Sequence, residues 1–271
     1  FYLYPLDKSF DADGKDLNAT PNGSFYTFTS RLGLDVTGPD IGKARSSAKI
    51  ETDFGGFSGS NTMLRIRQAY VNLDWGKSAV LVGITWHPLF GAVMPDVLNL
   101  STGAPFQPFN RSPQIRYQYK ANSRVQLTAS VLWQLQYLSS GPKGMSEDYI
   151  KNSCIPEMFV GADFTPADGW LMGLGAHMIS LKPRTSTEWK EQTFKVNERM
   201  TAFSYEAHLK YSGRNYTFAA KTLMASALDH TALLGGYGVS SVDSRTGEQG
   251  YTPFRHSTTS VSYTHLRAHE T

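Results

Sequence analysis

Residues 64–76 read LRIRQAYVNLDWG. Leu64 and Ile66 alternate with Arg65 and Arg67, and side chains along a strand leave opposite faces with period two. The two arginines therefore share one face and the two aliphatic residues the other. If the aliphatic face met lipid, an arginine slipped onto it near the midplane would cost about 2 to 4 kcal/mol, which fixes the register firmly. Further along the segment the phase changes. Gln68 and Asn72 fall on the parity of Leu64, and Ala69, Val71 and Leu73 on the parity of Arg65. Either a bulge shifts the count, or this wall is covered by a neighbouring subunit outside and a packed loop inside.

The same period recurs along the chain. YTFTSRLGLDV at 26–36 places Phe28, Leu32, Leu34 and Val36 together, and SAKIETDF opposes Ala48, Ile50 and Phe54 to Lys49, Glu51 and Asp53. AVLVGITW follows at 79–86. QIRYQYK sets Ile115, Tyr117 and Tyr119 against Gln114, Arg116, Gln118 and Lys120, and RVQLTASVLW continues the pattern. MFVGADF, WLMGLGAHMISL, FSYEAHLKY and YTFAAKTLM extend it, and a weaker segment covers roughly 253–262. About eleven strands are predicted, in addition to the stub FYLYPL.

The connections alternate in length. GPDIGK, GKS, ANS, ADG and SGRN are turns, whereas 5–23, 87–113, 138–156, 182–198 and 226–252 are long; only the gap near GFSGSN breaks the long class. Hairpins with one tight end and one ragged end are the layout of an outer-membrane barrel. A soluble β-sandwich would also alternate, its apolar face being its core. Segment length favours the barrel, since these segments are long enough for a tilted span of about 9 to 11 residues. Trp75, Trp86, Trp133, Trp170 and Tyr211 near segment ends fit interfacial girdles.

Composition agrees. The 271 residues contain no apolar run of about 18 residues, so no spanning helix is encoded. A net charge of +3, scattered along the chain, carries no nucleic-acid signal. One cysteine, Cys154, makes no internal disulfide. The chain starts at Phe1 with no leader, which is read as a signal peptide removed or not included.

In order, TSRLGLDVTGP, AKIETDFGG, LRIRQAYVNLDW, VLVGITWHPLF and APFQPFNRSPQIRYQY resemble the outer-membrane porins of Gram-negative bacteria, particularly the DcaP-like and Bacteroidetes general porins of the trimeric-porin superfamily. The resemblance covers residues 1 to 135 well and the remainder by pattern. It implies an all-β, transmembrane, antiparallel up-and-down β-barrel of about sixteen strands, of which this chain carries part. It also implies a homotrimer in the bacterial outer membrane, in contact with its lipid, that passes small hydrophilic solutes and ions.

The resemblance further implies that a loop folds inward as a constriction. The candidate is 87–113, a nearly uncharged stretch that would bury Leu89, Phe90, Val93, Leu98, Phe106 and Phe109. A basic ladder of Arg31, Arg65, Arg67 and Arg116, with Arg111 at the loop's end, would face Asp96 on the loop. Lys49, Glu51 and Asp53 complete the expected pore lining, and opposed charges there set ion preference. The plainer alternative for each arginine is a salt bridge with Glu51 or Asp53.

Residues 1–260 are read as a partial porin barrel. The tail VSYTHLRAHET at 261–271 turns toward helical bias and resembles a translated sequencing-adapter end, so the native frame is expected to stop near Ser260 or Ser262. His265, His269 and Glu270 lack the order of a metalloprotease motif. His87, His177, His208, His230 and His256 stand apart in sequence and are read as isolated imidazoles, with no metal and no cofactor expected. No GxSxG or phosphate-binding motif occurs. The expected function is a passive, mildly anion-preferring diffusion channel and not an enzyme. A non-conducting adhesive or structural barrel comes second and an outer-membrane hydrolase third.

Overall fold

The computed structural model describes residues 6–21, 30–56, 63–93 and 107–265. Eleven strands form one antiparallel sheet in chain order. They are β1 (Arg31–Thr37), β2 (Arg45–Asp53), β3 (Arg65–Asp74), β4 (Ser78–Trp86), β5 (Arg111–Lys120), β6 (Val125–Leu132), β9 (Glu157–Phe164), β10 (Trp170–Leu181), β13 (Met200–Ser212), β14 (Tyr216–Ser226) and β17 (Arg255–His265). The intervening labels belong to three hairpins inside the long connections. These are β7 (Ser140–Gly141) with β8 (Gly144–Met145), β11 (Ser186–Trp189) with β12 (Gln192–Lys195), and β15 (Tyr237–Val242) with β16 (Gln249–Pro253). A short helix, α1 (Asp148–Ser153), precedes β9. No helix among the described residues is long and apolar enough to cross a membrane.

The sheet has two chemically distinct faces. Leu32, Leu34, Ile50, Ile66, Val71, Val82, Ile115, Leu127, Val160, Leu174, Phe203, Tyr205, Met224 and Val261 are exposed on the outer face. Asp53, Arg67, Gln114, Ser130, His177, Ser204, Glu206, His208 and Lys221 are buried on the inner one. A sandwich would bury the aliphatic set against a second sheet. Here the main sheet stands alone, and its inner, polar face is the one that the loops cover.

The phase change in β3 has a local cause. Glu51 pairs with Gln68, and the next residue of β2, Thr52, pairs with Ile66, so Arg67 is the extra residue of a β-bulge. Before it, Ile66 is exposed and Arg67 buried; after it, Val71 is exposed. The bulge returns Ala69, Val71 and Leu73 to the face of Ile50 and Ala48, their neighbours in β2. A covering subunit is therefore not needed to explain the sequence. Across the next ladder, Gly83 lies opposite Tyr70 with φ 136°, and a Cβ there would meet the Ala69 carbonyl oxygen at 2.2 Å.

The two ends of the sheet also differ. At the turn end, Trp170, Tyr211, Tyr216 and Tyr263 form a row across β10, β13, β14 and β17, with successive ring centroids 4.7, 5.4 and 6.3 Å apart. This is the girdle expected at an interface. Trp86 is not part of one: it is turned inward and stacks on Phe90 at 4.2 Å. At the loop end, α1 and the strand ends share a core of Tyr149, Ile150, Ile179, Leu181, Met200, Ala202 and Ala227. Thr187 Oγ1 donates to the Thr246 carbonyl and Trp189 Nε1 to that of Ser244, which ties the β11–β12 connection to the β15–β16 one.

β17 runs through His265, with Val261 opposite Ala220 and Tyr263 opposite Phe218. The helical bias expected from residue 261 is thus absent over 261–265. Val261 and Tyr263 keep the outward alternation, and strand pairing with β14 outweighs local propensity. His269 and Glu270 lie outside the described residues.

Candidate functional site

β4 ends at Trp86, and the chain then turns across the inner face. Pro88–Phe90 form a single 3-10 turn, capped by His87, whose Nδ1 accepts from the Leu89 amide at 3.1 Å. Leu89 and Val93 are buried, while Phe90 and Phe109 are half-buried. Leu98 and Phe106, also expected inside, lie outside the described residues, as does Asp96.

Several contacts hold the loop across the sheet. Lys221 Nζ on β14 donates to the carbonyls of Leu89 and, at 2.9 Å, Phe90. The Phe109 amide donates to the Thr231 carbonyl at 2.7 Å. Gln107 Nε2 donates to Ser260 Oγ on β17 at 2.7 Å. A segment leaving β4 and returning to β5 is thereby tied to the other side of the sheet. Leu89 joins Leu132, Phe159, Leu223, Ala225, Leu228 and Leu233 in a buried cluster, so apolar burial adds to the polar ties.

The expected basic ladder divides into different environments. Arg65 donates to both oxygens of Asp53, at 2.9 and 2.7 Å. Arg67 bridges Glu51 at 2.5 Å and Asp53 at 2.8 Å. The bulge is what lets two arginines on one strand reach the same carboxylate. These four charges cancel, which is the salt-bridge reading of the arginines. Lys49 pairs with Asp35 at 3.1 Å, and Arg31 is exposed on the edge strand β1.

Among the described residues, no carboxylate lies at salt-bridge distance from Arg111 or Arg116. Arg116 donates to the Trp86 carbonyl at 2.6 Å and to Gln114 Oε1 at 3.0 Å. Arg111 is fully buried, donates to the Tyr137 hydroxyl at 2.9 Å, and lies over the rings of Trp86, Phe109 and Tyr137 at 5.0 to 5.7 Å. The aromatic faces attract the buried guanidinium through their ring quadrupoles.

Beneath the loop lies a cavity of about 270 Å³ with Arg116 among its lining residues, together with Asp163, Glu206 and His208. His208 contacts Asp163 at 3.1 Å and Glu206 at 3.4 Å. Gly173 and Gly175 make room for two of the lining side chains, His208 and Phe159. A Cβ on Gly173 would strike the His208 ring and one on Gly175 the Phe159 ring.

A second cluster went unread in the sequence. His87, Glu157, His177 and His230 come together with their ligand atoms all within 4.8 Å, and all four are buried. The Nε2 atoms of His87, His177 and His230 lie 3.4, 3.2 and 3.0 Å from one oxygen, Glu157 Oε2. Glu157 Oε1 accepts from Gln134 Nε2 at 2.9 Å. These histidines are therefore not isolated. Glu157 and His177 are buried on β9 and β10, whereas the loops supply His87 and His230. Burial pushes the His87 pKa down to about 4. At His230 burial acts in the same sense, but the neighbouring Glu157 carboxylate outweighs it and moves the pKa up.

No protein-family model matches the sequence, and no curated protein matches it by sequence. Solved structures do match. The outer membrane channel DcaP of Acinetobacter baumannii superposes with a TM-score of 0.67 at 21% identity, covering 93% of this chain. The chain spans 66% of that channel's length. A loop L8 deletion mutant of OmpT, an outer membrane protein of Vibrio cholerae, matches at TM-score 0.48 and 14% identity over 74% of this chain and 62% of its own. OccK5 of Pseudomonas aeruginosa matches at 0.35 and 13% over 90% and 79%. The chain has the all-β, antiparallel up-and-down fold of an outer-membrane porin barrel.

Proposed function

We propose that this chain is the larger part of a passive diffusion channel of the bacterial outer membrane, selecting by size and charge and performing no chemistry. The observation that carries the reading is the loop after β4, held across the inner face by Lys221 and by the Gln107–Ser260 bond. Such a segment narrows a water-filled lumen without needing to move. The outer face, aliphatic from β1 to β17, supports contact with lipid. Residues 1–260 form the barrel portion on this reading, the segment after β4 is its constriction, and the complete protein assembles as a homotrimer.

Small hydrophilic solutes and ions are the cargo. Arg116 among the cavity's lining residues, with Asp163 and Glu206, would orient a polar solute. Anion preference is mild, because Arg65 and Arg67 are neutralised by Glu51 and Asp53.

Single-channel recording of the complete protein in a planar bilayer under a salt gradient tests the reading, beside an Arg65→Ala/Arg67→Ala variant. Ohmic steps grouped in threes are expected, with the reversal potential moving toward cation preference once Glu51 and Asp53 lose their partners. A correctly inserted protein that passes no current overturns it in favour of an adhesive or structural barrel.

A further inference from the structure

Three imidazole nitrogens converge on one carboxylate oxygen, and hydrogen bonding alone does not accommodate them. A carboxylate oxygen offers two lone pairs. The His87 tautomer is settled by the protein: its Nδ1 accepts from Leu89, so in the neutral ring Nε2 carries the hydrogen and donates to Glu157. His177 and His230 differ. Their Nδ1 atoms are buried with no hydrogen-bond partner among the described residues, so each neutral ring can carry its hydrogen on Nδ1 and turn its Nε2 lone pair to a cation held between it and Glu157 Oε2.

Two imidazole nitrogens and a carboxylate oxygen around one point are a donor set for a late first-row divalent cation. Tetrahedral ligands at about 2.0 to 2.2 Å from zinc lie roughly 3.3 to 3.5 Å from one another. His177 and His230 Nε2 lie 3.2 and 3.0 Å from Glu157 Oε2, so small side-chain shifts suffice. Gln134 holds the other carboxylate oxygen, the kind of outer contact that orients a metal ligand.

We propose that Glu157, His177 and His230 form a binding site for a zinc-class divalent cation, with His87 donating a hydrogen bond to the ligating carboxylate. The cation joins β9 and β10 to the segment around Asp229–Thr231, and through His87 to the start of the loop after β4. It acts as a clamp that fixes both inward segments to the wall. The inference is independent of whether the lumen conducts.

The test uses the full chain folded in detergent, stripped with a chelator and dialysed against Co²⁺ alone. About one Co²⁺ per chain is expected, with the visible bands of a tetrahedral nitrogen- and oxygen-ligated ion. Binding should be lost in His177→Gln/His230→Gln, weakened about 10- to 100-fold in Gln134→Ala, and unchanged in His208→Gln. Should the double variant not fold, wild-type protein decides: Co²⁺ must protect His177 and His230, and not His256, from imidazole-modifying reagent read by mass spectrometry. A folded wild-type chain that takes up no cobalt overturns the proposal. So does binding that survives the double variant, or cobalt that leaves His177 and His230 unprotected.

Discussion

Two buried polar clusters lie on the inner face, and they are built in opposite ways. The arginine cluster draws Glu51, Asp53, Arg65 and Arg67 from one hairpin, β2 and β3, and its charges balance. The histidine cluster draws His87, Glu157, His177 and His230 from two strands and two loops, with one carboxylate for three imidazoles. The first has redundancy, because Asp53 keeps one arginine if the other is lost. The second hinges on Glu157. A cluster local in sequence stabilises its own hairpin, whereas one assembled from distant segments fixes where the loops sit.

Removing Glu157 should therefore have the largest effect. Glu157→Ala leaves His87, His177 and His230 buried without the carboxylate on which they converge, a loss of about 3 to 5 kcal/mol by analogy with a broken buried pair. Urea unfolding in detergent reads it, and proteolysis should show the segments near His87 and His230 opening first. Arg67→Ala should cost less, about 1 to 3 kcal/mol, since Arg65 still donates twice to Asp53. If the two variants lose equal stability, the distinction between redundant and single-anchored clusters fails.

The same contrast explains what the sequence disclosed. The alternation at Leu64–Arg67 gave the strand, its faces and the wet side, because period two is a local property. The phase slip after Arg67 was visible too. Its resolution as a bulge required the partner strand, where Glu51 and Thr52 skip a residue of β3. The inward parity of His177 could be counted within WLMGLGAHMISL, and that of Glu157 from its place just before MFVGADF, whereas nothing local placed His87 and His230 beside them. Loop–loop contacts such as the Asn110 side chain on the His230 carbonyl join residues too far apart for any periodicity to report. The hairpins at 140–145, 186–195 and 237–253 were missed for a related reason: each is short, and each is supported by a neighbouring loop. Trp86 was misplaced at the interface because position at a strand end says nothing about the Arg111 and Phe90 side chains that pack on it.

On the proposed reading the aliphatic face meets lipid, and the bulge at Arg67 keeps β3 in register with it. Spin labels at Val71 and, separately, at Asn72, introduced on a Cys154→Ser background because Cys154 is free and exposed, test it in reconstituted bilayers. The account predicts that the label at Val71 is reached by oxygen dissolved in the acyl chains and shielded from a water-soluble nickel chelate, with the order reversed at Asn72. A label at Val71 that is fully accessible to the chelate, or lipid exposure at Asn72, would contradict it.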